Sequence, residues 1–351
     1  MSLIPAILPE FLIPGDVMSV SRHGTGHIND TFRVVVASGL GDRSYLLQRL
    51  NPSVFSDAVA VMTNMQAVTA HLNGAVLSRA MRNPERRVLQ LVPARDGNSY
   101  VRDARGGVWR LLKFIEGTRT LECAETVEQA TQAGRAFGRF HVMMHDLDRE
   151  LIEVLPGFHD TPARLAALEQ AAGEDAIGRL AEVRREVEQV LAAREEGGQI
   201  QALRMQGALP TRVVHHDAKI GNVLFDEKTG EGLCVVDLDT VMDGTVLYDV
   251  GDLTRSVATA VAEDEPNADR VKVRPDFVDA MLRGYVQETE GFLTPGEKAN
   301  LHLAGRVITL EQAARFLTDF LQGDNYYPVT RANHNLDRAR VQLRIWEGLA
   351  R

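Results

Sequence analysis

Arg212-Val213-Val214-His215-His216-Asp217-Ala218-Lys219-Ile220-Gly221-Asn222 passes from a short apolar run into a polar loop. Val223-Leu224-Phe225, a Lys228-Thr229-Gly230 turn and Leu233-Cys234-Val235-Val236-Asp237-Leu238-Asp239 follow it. Read as strand, loop, strand, turn, strand and acid, the stretch delivers an Asp and an Asn in one loop and then a second acidic cluster. Phosphoryl transfer asks little covalent chemistry of a protein. It needs a carboxylate that orients the attacking hydroxyl and receives its proton, and oxygen ligands that hold Mg²⁺ on nucleotide phosphates. Asp217 fits the first task, and Asn222 with Asp237 the second. Alone, an Asp-x-x-x-x-Asn spacing is common, and the same residues would equally cap turns and end a strand; the ordered context favours the chemical reading.

Working outward, the 351-residue chain is 44% hydrophobic and 25% charged, enough to bury a sizeable core in two lobes. A formal net charge of -9 argues against a general nucleic-acid binder, which would cluster Lys and Arg. Cys123 and Cys234 lie far apart and make no metal-ligand spacing, so reduced thiols are expected. The apolar start, Met1 to Pro14, has no Lys or Arg before Arg22, and Pro5, Pro9 and Pro14 would interrupt a signal helix. No run approaches a membrane span, and the expected location is cytoplasmic. Oligomeric state and pathway are not legible.

Thr31 to Val36 and Tyr45 to Leu50 read as a hairpin turned at Gly39, Gly41 and Asp42. Val54, Ala58, Val61, Met65, Val68 and Leu72 recur at helical spacing over 53–73, and further strands are expected near Val88 to Leu91 and Val108 to Leu112. After Glu116-Gly117 the pattern changes to long helices: 126–145, roughly 175–205, and one starting at the Thr294-Pro295-Gly296-Glu297 capping box and running toward Leu321. The expected organisation is a β-rich N-lobe, residues 1–115, and a helical C-lobe, residues 116–351, with a crossing at about 113–119. Gly24-Thr25-Gly26 lies between two expected strands, where a turn can bring backbone N–H groups near phosphates; a plain hairpin turn explains it as well.

The catalytic segment resembles that of protein kinases and, more closely, that of the aminoglycoside phosphotransferase and choline kinase superfamily. Gly26-His27-Ile28-Asn29-Asp30-Thr31-Phe32, Tyr45 to Asn51, Phe114-Ile115-Glu116-Gly117-Thr118, Asp237 to Met242, Arg315 to Phe320 and His334 to Arg340 resemble the N-acetylhexosamine 1-kinases over nearly the whole chain. The resemblance implies an α+β, protein-kinase-like two-lobe fold of the aminoglycoside phosphotransferase type. It also implies ATP as co-substrate with Mg²⁺, and transfer to the anomeric hydroxyl of N-acetylglucosamine or N-acetylgalactosamine. The alternatives are another small hydroxyl acceptor (other sugar, amino alcohol, amino acid, aminoglycoside) or an idle nucleotide-binding scaffold.

Gly24, Thr25 and Gly26 are the phosphate-side candidates of their turn, and exposed backbone groups of the crossing residues Phe114 and Ile115 are candidates for the adenine edge, a plain interdomain linker explaining the crossing as well. Gln48 stands where kinases place a phosphate-holding Lys, with Arg49 on the opposite strand face, and 54–72 offers no Glu to pair with such a Lys, Asp57 being its only acid. Asn29 and Asp30, with Thr240, Arg315 and Tyr326, are the implied sugar contacts. Arg315 also has Glu311 and Asp319 four residues to either side, the spacing of a helix-surface ion-pair row. Asp239 alternates to the face of Asp237 if the strand persists. Asp249 and Asp252 resemble the residues that brace the catalytic loop, and one of His215 and His216 is expected to brace it too.

Overall fold

The structure is a computed structural model and describes residues 3–24, 29–39 and 41–350. Its first lobe is a five-stranded antiparallel sheet in the order β1 (Asp16–Arg22), β2 (Asp30–Ala37), β3 (Arg43–Arg49), β5 (Val108–Lys113) and β4 (Val101–Arg102). Alternation decides what each face covers. Phe32, Val34, Val36, Tyr45, Leu47, Trp109 and Leu111 bury one face under the N-terminal segment, which holds α1 (Ile4–Ile7) and Phe11. The other face carries Leu46, Gln48, Arg110 and Leu112 in register, Gln48 opposite Arg110. It packs on α2 (Ala58–Ser78), whose Met62, Met65 and Val68 are fully buried. Asp57 caps α2, its carboxylate accepting from the N–H groups of Val59 and Ala60. No strand forms over 88–91: Leu91 makes one isolated bridge to Leu112, and Lys113 donates to the Gln90 carbonyl.

The crossing is strapped. Arg86 donates to the carbonyls of Glu116 and Gly117, each at 3.0 Å, and to Asp226 at 2.6 Å, so one guanidinium fastens the first lobe to the second. β6 (Thr118–Arg119) then joins β8 (Val223–Asp226) and β9 (Gly232–Val235), while β7 (Arg212–Val214) pairs with β10 (Met242–Gly244). These short strands frame the loop that carries Asp217.

Helices make up the rest: α3 (Val127–Met144), α4 (Thr161–Glu174), α5 (Leu180–Ala192), α6 (Arg194–Gly197), α7 (Gln199–Met205), α8 (Val246–Val257), α9 (Pro275–Glu288), α10 (Pro295–Ala299), α11 (Leu301–Leu321) and α12 (His334–Gly348). The stretch expected as one long helix over 175–205 is three, broken at Ala193 and Gly198. The Thr294 capping box forms, with Thr294 Oγ1 accepting from the Glu297 N–H and Glu297 accepting from the Thr294 N–H, but the helix breaks at Asn300 before α11 begins. α3 and α9 cross so closely that a Cβ at Gly134 would sit 2.0 Å from the Met281 carbonyl oxygen, and one at Gly284 would sit 2.3 Å from that of Thr131. α11 joins two cores: Ala304, Val307 and Ile308 pack with α3, α8 and α9, and Leu310, Phe316 and Leu317 with α4, α5 and α12.

Candidate active site

β7 ends at Val214 and the chain enters a loop held from below by α8. Asp249 accepts from the backbone N–H groups of His215 (2.7 Å) and His216 (2.8 Å), and from His141 Nε2 (2.8 Å), whose Nδ1 faces the Tyr285 hydroxyl. Burial opposes its charge, but the hydrogen bond and charge of His141 win, and the Asp249 carboxyl is lowered to about 2. Thr240 Oγ1 donates to the His215 carbonyl (2.6 Å), and Ile220 N–H donates to Ser256 Oγ (3.1 Å). Both histidines are braces: the Nε2 atoms of His215 and His216 meet the carbonyls of Val236 and Asp243. His216 sits at φ +67°. Burial above all, with repulsion from His159, holds its ring down at about 3, so it is neutral.

The loop presents Asp217. Its Oδ2 accepts from Lys219 Nζ (2.9 Å) and Asn222 Nδ2 (3.0 Å), while Oδ1 has no partner among the described residues. Burial works against its charge, yet Lys219, with help from His215 and Arg255, holds the carboxyl well below the ordinary range. Asn222 Nδ2 also donates to the Asp217 carbonyl, which leaves the Asn222 side-chain oxygen as the free end of the amide.

Asp237 is the opposite case. It stands at φ +63°, just past β9, and its carboxylate makes no hydrogen bond to a described residue. Burial, then repulsion from Asp239 and Asp217, pushes it up to about 6. An acid kept partly buried, unpaired and crowded by acids is what a cation would relieve, and with the Asn222 oxygen it offers hard donors suited to a divalent ion. Among the described residues no cluster of three or more His, Cys, Asp or Glu makes a metal cage. Two protein oxygens are consistent with an ion that takes its other ligands from phosphates and water.

Asp239 does not share this face. The strand gives way to a 3₁₀ turn over Leu238–Thr240, so the alternation fails, and Asp239 turns into the interior. There it pairs with Arg110 and accepts from Asn29 Nδ2 (2.8 Å). Arg110, 1% exposed, also donates to Gln48 Oε1 (2.9 Å), and Gln48 Nε2 donates to Thr31 Oγ1. A guanidinium from the neighbouring strand therefore lies beside Gln48, and its carboxylate partner comes from the second lobe. Asn64 of α2 secures the same turn, donating to the Val241 carbonyl (3.3 Å). Arg49, the other sequence candidate, faces Asp103. The sequence reading missed Arg110; the signal was a single charge inside Val108-Trp109-Arg110-Leu111-Leu112.

The remaining candidates separate. Thr25, Gly26 and His27 lie outside the described residues, and Gly24 precedes them at φ +77°. At the crossing, Phe114 N–H bonds the Ser44 carbonyl and Thr118 Oγ1 bonds the Ile115 carbonyl, leaving the Phe114 carbonyl and the Ile115 N–H without a partner among the described residues. Asp30 pairs with Arg22 at the surface. The ion-pair row around Arg315 is absent: Glu311 faces His159, and Asp319 accepts from the N–H groups of Asn325, Tyr326 and Tyr327. Arg315 donates to Gln312 and lies over the rings of Phe158 (4.8 Å) and Tyr327 (5.7 Å). Tyr327, not Tyr326, is thus the tyrosine stacked on Arg315; the Tyr326 ring is 60% exposed and meets Tyr327 edge-on.

The profile of the phosphotransferase enzyme family matches residues 19–291. Solved structures share the architecture at low identity. An aminoglycoside phosphotransferase from Alicyclobacillus acidocaldarius superposes with a TM-score of 0.61 at 14% identity, over 99% of this chain and 94% of that one. A choline/ethanolamine kinase family protein from Mesorhizobium loti gives 0.54 at 17%, over 99% of both chains. A spectinomycin phosphotransferase, solved with ADP and spectinomycin, gives 0.54 at 12%, over 95% of this chain and 94% of that one. With an α+β, protein-kinase-like two-lobe fold and this family match, the chain belongs to the phosphotransferase enzyme family and is a phosphotransferase that acts on a hydroxyl-bearing small molecule.

Proposed function

We propose that this protein transfers the γ-phosphoryl group of ATP to the anomeric hydroxyl of an N-acetylhexosamine. The observation that carries the chemistry is Asp217: one oxygen is tied to Lys219 and Asn222, and the other is open to an acceptor. A carboxylate held well below its ordinary range is a weak base toward a resting alcohol. It therefore acts by accepting a hydrogen bond from the hydroxyl and aiming it. It takes the proton only as the new P–O bond makes that oxygen acidic, in keeping with a loose transition state. Asn222 and Asp237 would hold Mg²⁺, which when bound neutralises charge on the phosphates. Lys219, beside Asp217, adds a fixed positive charge on the same side. The open groups of Phe114 and Ile115 offer a donor and an acceptor to an adenine edge.

For the acceptor, Arg315 favours a neutral molecule. The guanidinium stacked on Phe158 and Tyr327 repels a cation, and the structural neighbours' named acceptors include choline and ethanolamine, which carry one. Arg315 suits hydroxyl and amide oxygens instead. The N-terminal and C-terminal stretches that resemble the hexosamine 1-kinases point the same way. A panel of N-acetylhexosamines, other sugars, amino alcohols and aminoglycosides, incubated with protein and ATP-Mg²⁺, tests it. The expected product is an N-acetylhexosamine 1-phosphate. Phosphorylation of choline or kanamycin alone would reject the sugar and leave the phosphotransferase in place.

A further inference from the structure

A buried charged link joins α11 to the catalytic loop through two adjacent residues ahead of α4, Phe158 and His159. His159 is 5% exposed. Its Nδ1 lies 2.8 Å from Glu311 Oε1, and its Nε2 lies 3.0 Å from the carbonyl oxygen of His216, the residue before Asp217. The other Glu311 oxygen accepts from Thr161 Oγ1 at 2.6 Å. A carbonyl oxygen can only accept, and an ionised carboxylate likewise. Both ring nitrogens thus face acceptors, which a neutral imidazole with its single N–H cannot satisfy and an imidazolium can.

The surroundings agree. Burial opposes the charge, but Glu311, by charge and hydrogen bond, and Asp252 farther off outweigh it and the opposing Arg315, so the His159 pKa is raised. Glu311, also buried, is lowered chiefly by His159. The ring stacks on neutral His216, 5.4 Å between centroids, and lies tilted against Tyr248 at 4.9 Å, whose hydroxyl accepts from Arg204. Next door, the Phe158 ring carries the Arg315 guanidinium.

We propose that His159 is a positioning residue: as an imidazolium it clamps the carbonyl before Asp217 to Glu311, and with Phe158 under Arg315 it sets the catalytic loop and the acceptor-side helix in one frame. The inference rests on Asp217 and Arg315 serving the transfer described above. When His159 loses its proton as the pH rises, one of its two bonds fails and Asp217 loses its alignment with the acceptor hydroxyl.

Two readouts test it. In side-chain ¹⁵N spectra of the full chain without substrate, His159 should show both nitrogens protonated near neutral pH, persisting above the pH at which exposed histidines titrate. A neutral tautomer there overturns the proposal, whatever the enzyme phosphorylates. In kinetics, His159→Gln should lower kcat by about tenfold with KM for ATP unchanged. It should also abolish a fall of kcat at alkaline pH that the parent shows, and Glu311→Gln should move that fall to lower pH. A His159→Gln protein with parental kcat and pH profile would overturn it. So would a uniform loss of kcat, both KM values and thermal stability with the alkaline fall retained. A parent that phosphorylates no acceptor would instead defeat the functional reading, and the spectra would still decide the state of His159.

Discussion

The two acid-bearing turns of the site are built on opposite electrostatic plans. Around the loop at 215–222 each of the two carboxylates has donors: Asp249 takes two backbone N–H groups and a histidine, and Asp217 takes Lys219 and Asn222. Both are lowered. In the turn at 237–240, Asp239 is paired with Arg110 and Asn29, but Asp237 has no donor among the described residues and is raised to about 6. An acid tied by donors holds a geometry, and one without them holds a place for a cation. The carboxylates of the first turn are oriented by the fold, with Asp217 Oδ1 left over, whereas Asp237 in the second is left to what it binds.

Four experiments bear on that contrast. The largest effect is expected from Asp237→Ala, which should abolish Mg²⁺-supported turnover while leaving the fold intact, since its carboxylate bonds no described residue; chelation should silence the parent. Activity surviving the chelator would erase the distinction between the turns. Asp217→Asn should lower kcat by on the order of 10² to 10⁴ with ATP binding little changed, and near-parental turnover would remove Asp217 from the reaction. Arg110→Met strands Asp239 in the interior and should cost about 3–5 kcal/mol in chemical denaturation. Arg110→Met with Asp239→Leu should recover most of it, and a double variant as unstable as the single would deny the pair its place.

The smallest effect is a pH dependence. Asp249 has a folded pKa of about 2 against an ordinary value of 3.8, so its contribution is complete above the ordinary value and lost as pH falls through about 2. The stability gap between parent and Asp249→Asn should narrow by about 2 kcal/mol across that interval. Protonation of His216 also destabilises the fold in acid in both proteins, and because the Asp249 charge favours that protonation, the loss of that charge is part of the measured gap. A pH-independent gap would mean that Asp249 acts by shape and not by charge.

Much of the first turn was legible because its chemistry is local. Asp217 and Asn222 are five residues apart, and the strands that carry them show as apolar runs. The Thr294 capping box was equally local, although the break at Asn300 was not, since the Asn that ends α10 resembles any polar helix residue. In the second turn the condition on Asp239 failed, because the strand ends at Val235 and a 3₁₀ turn takes over at Leu238. Arg110, Lys219 and His159 were missed for a shared reason. Each acts through a partner whose role emerges only in three dimensions, 129 residues distant for Arg110 and 152 for His159. Lys219 has its partner two residues away, but a Lys near an Asp in sequence does not announce that their side chains meet. Arg315 was singled out by resemblance, while its neighbours in the structure, Phe158 and Tyr327, required the packing of α11.

The glycine-to-carbonyl crossing of α3 and α9 sets a hierarchy of opening. Helices that touch backbone to backbone cannot slide or breathe without parting along their whole contact, so their amides should exchange with solvent only through global unfolding. His141 stands on α3 and Tyr285 on α9, and between them they hold Asp249. The loop that carries Asp217 is thereby moored to the block expected to exchange most slowly. Deuterium uptake should reach Arg22, Asp30 and the surface strands early and the backbone amides of His215 and His216 late, so that the site keeps its form through fluctuations that loosen the lobe above it.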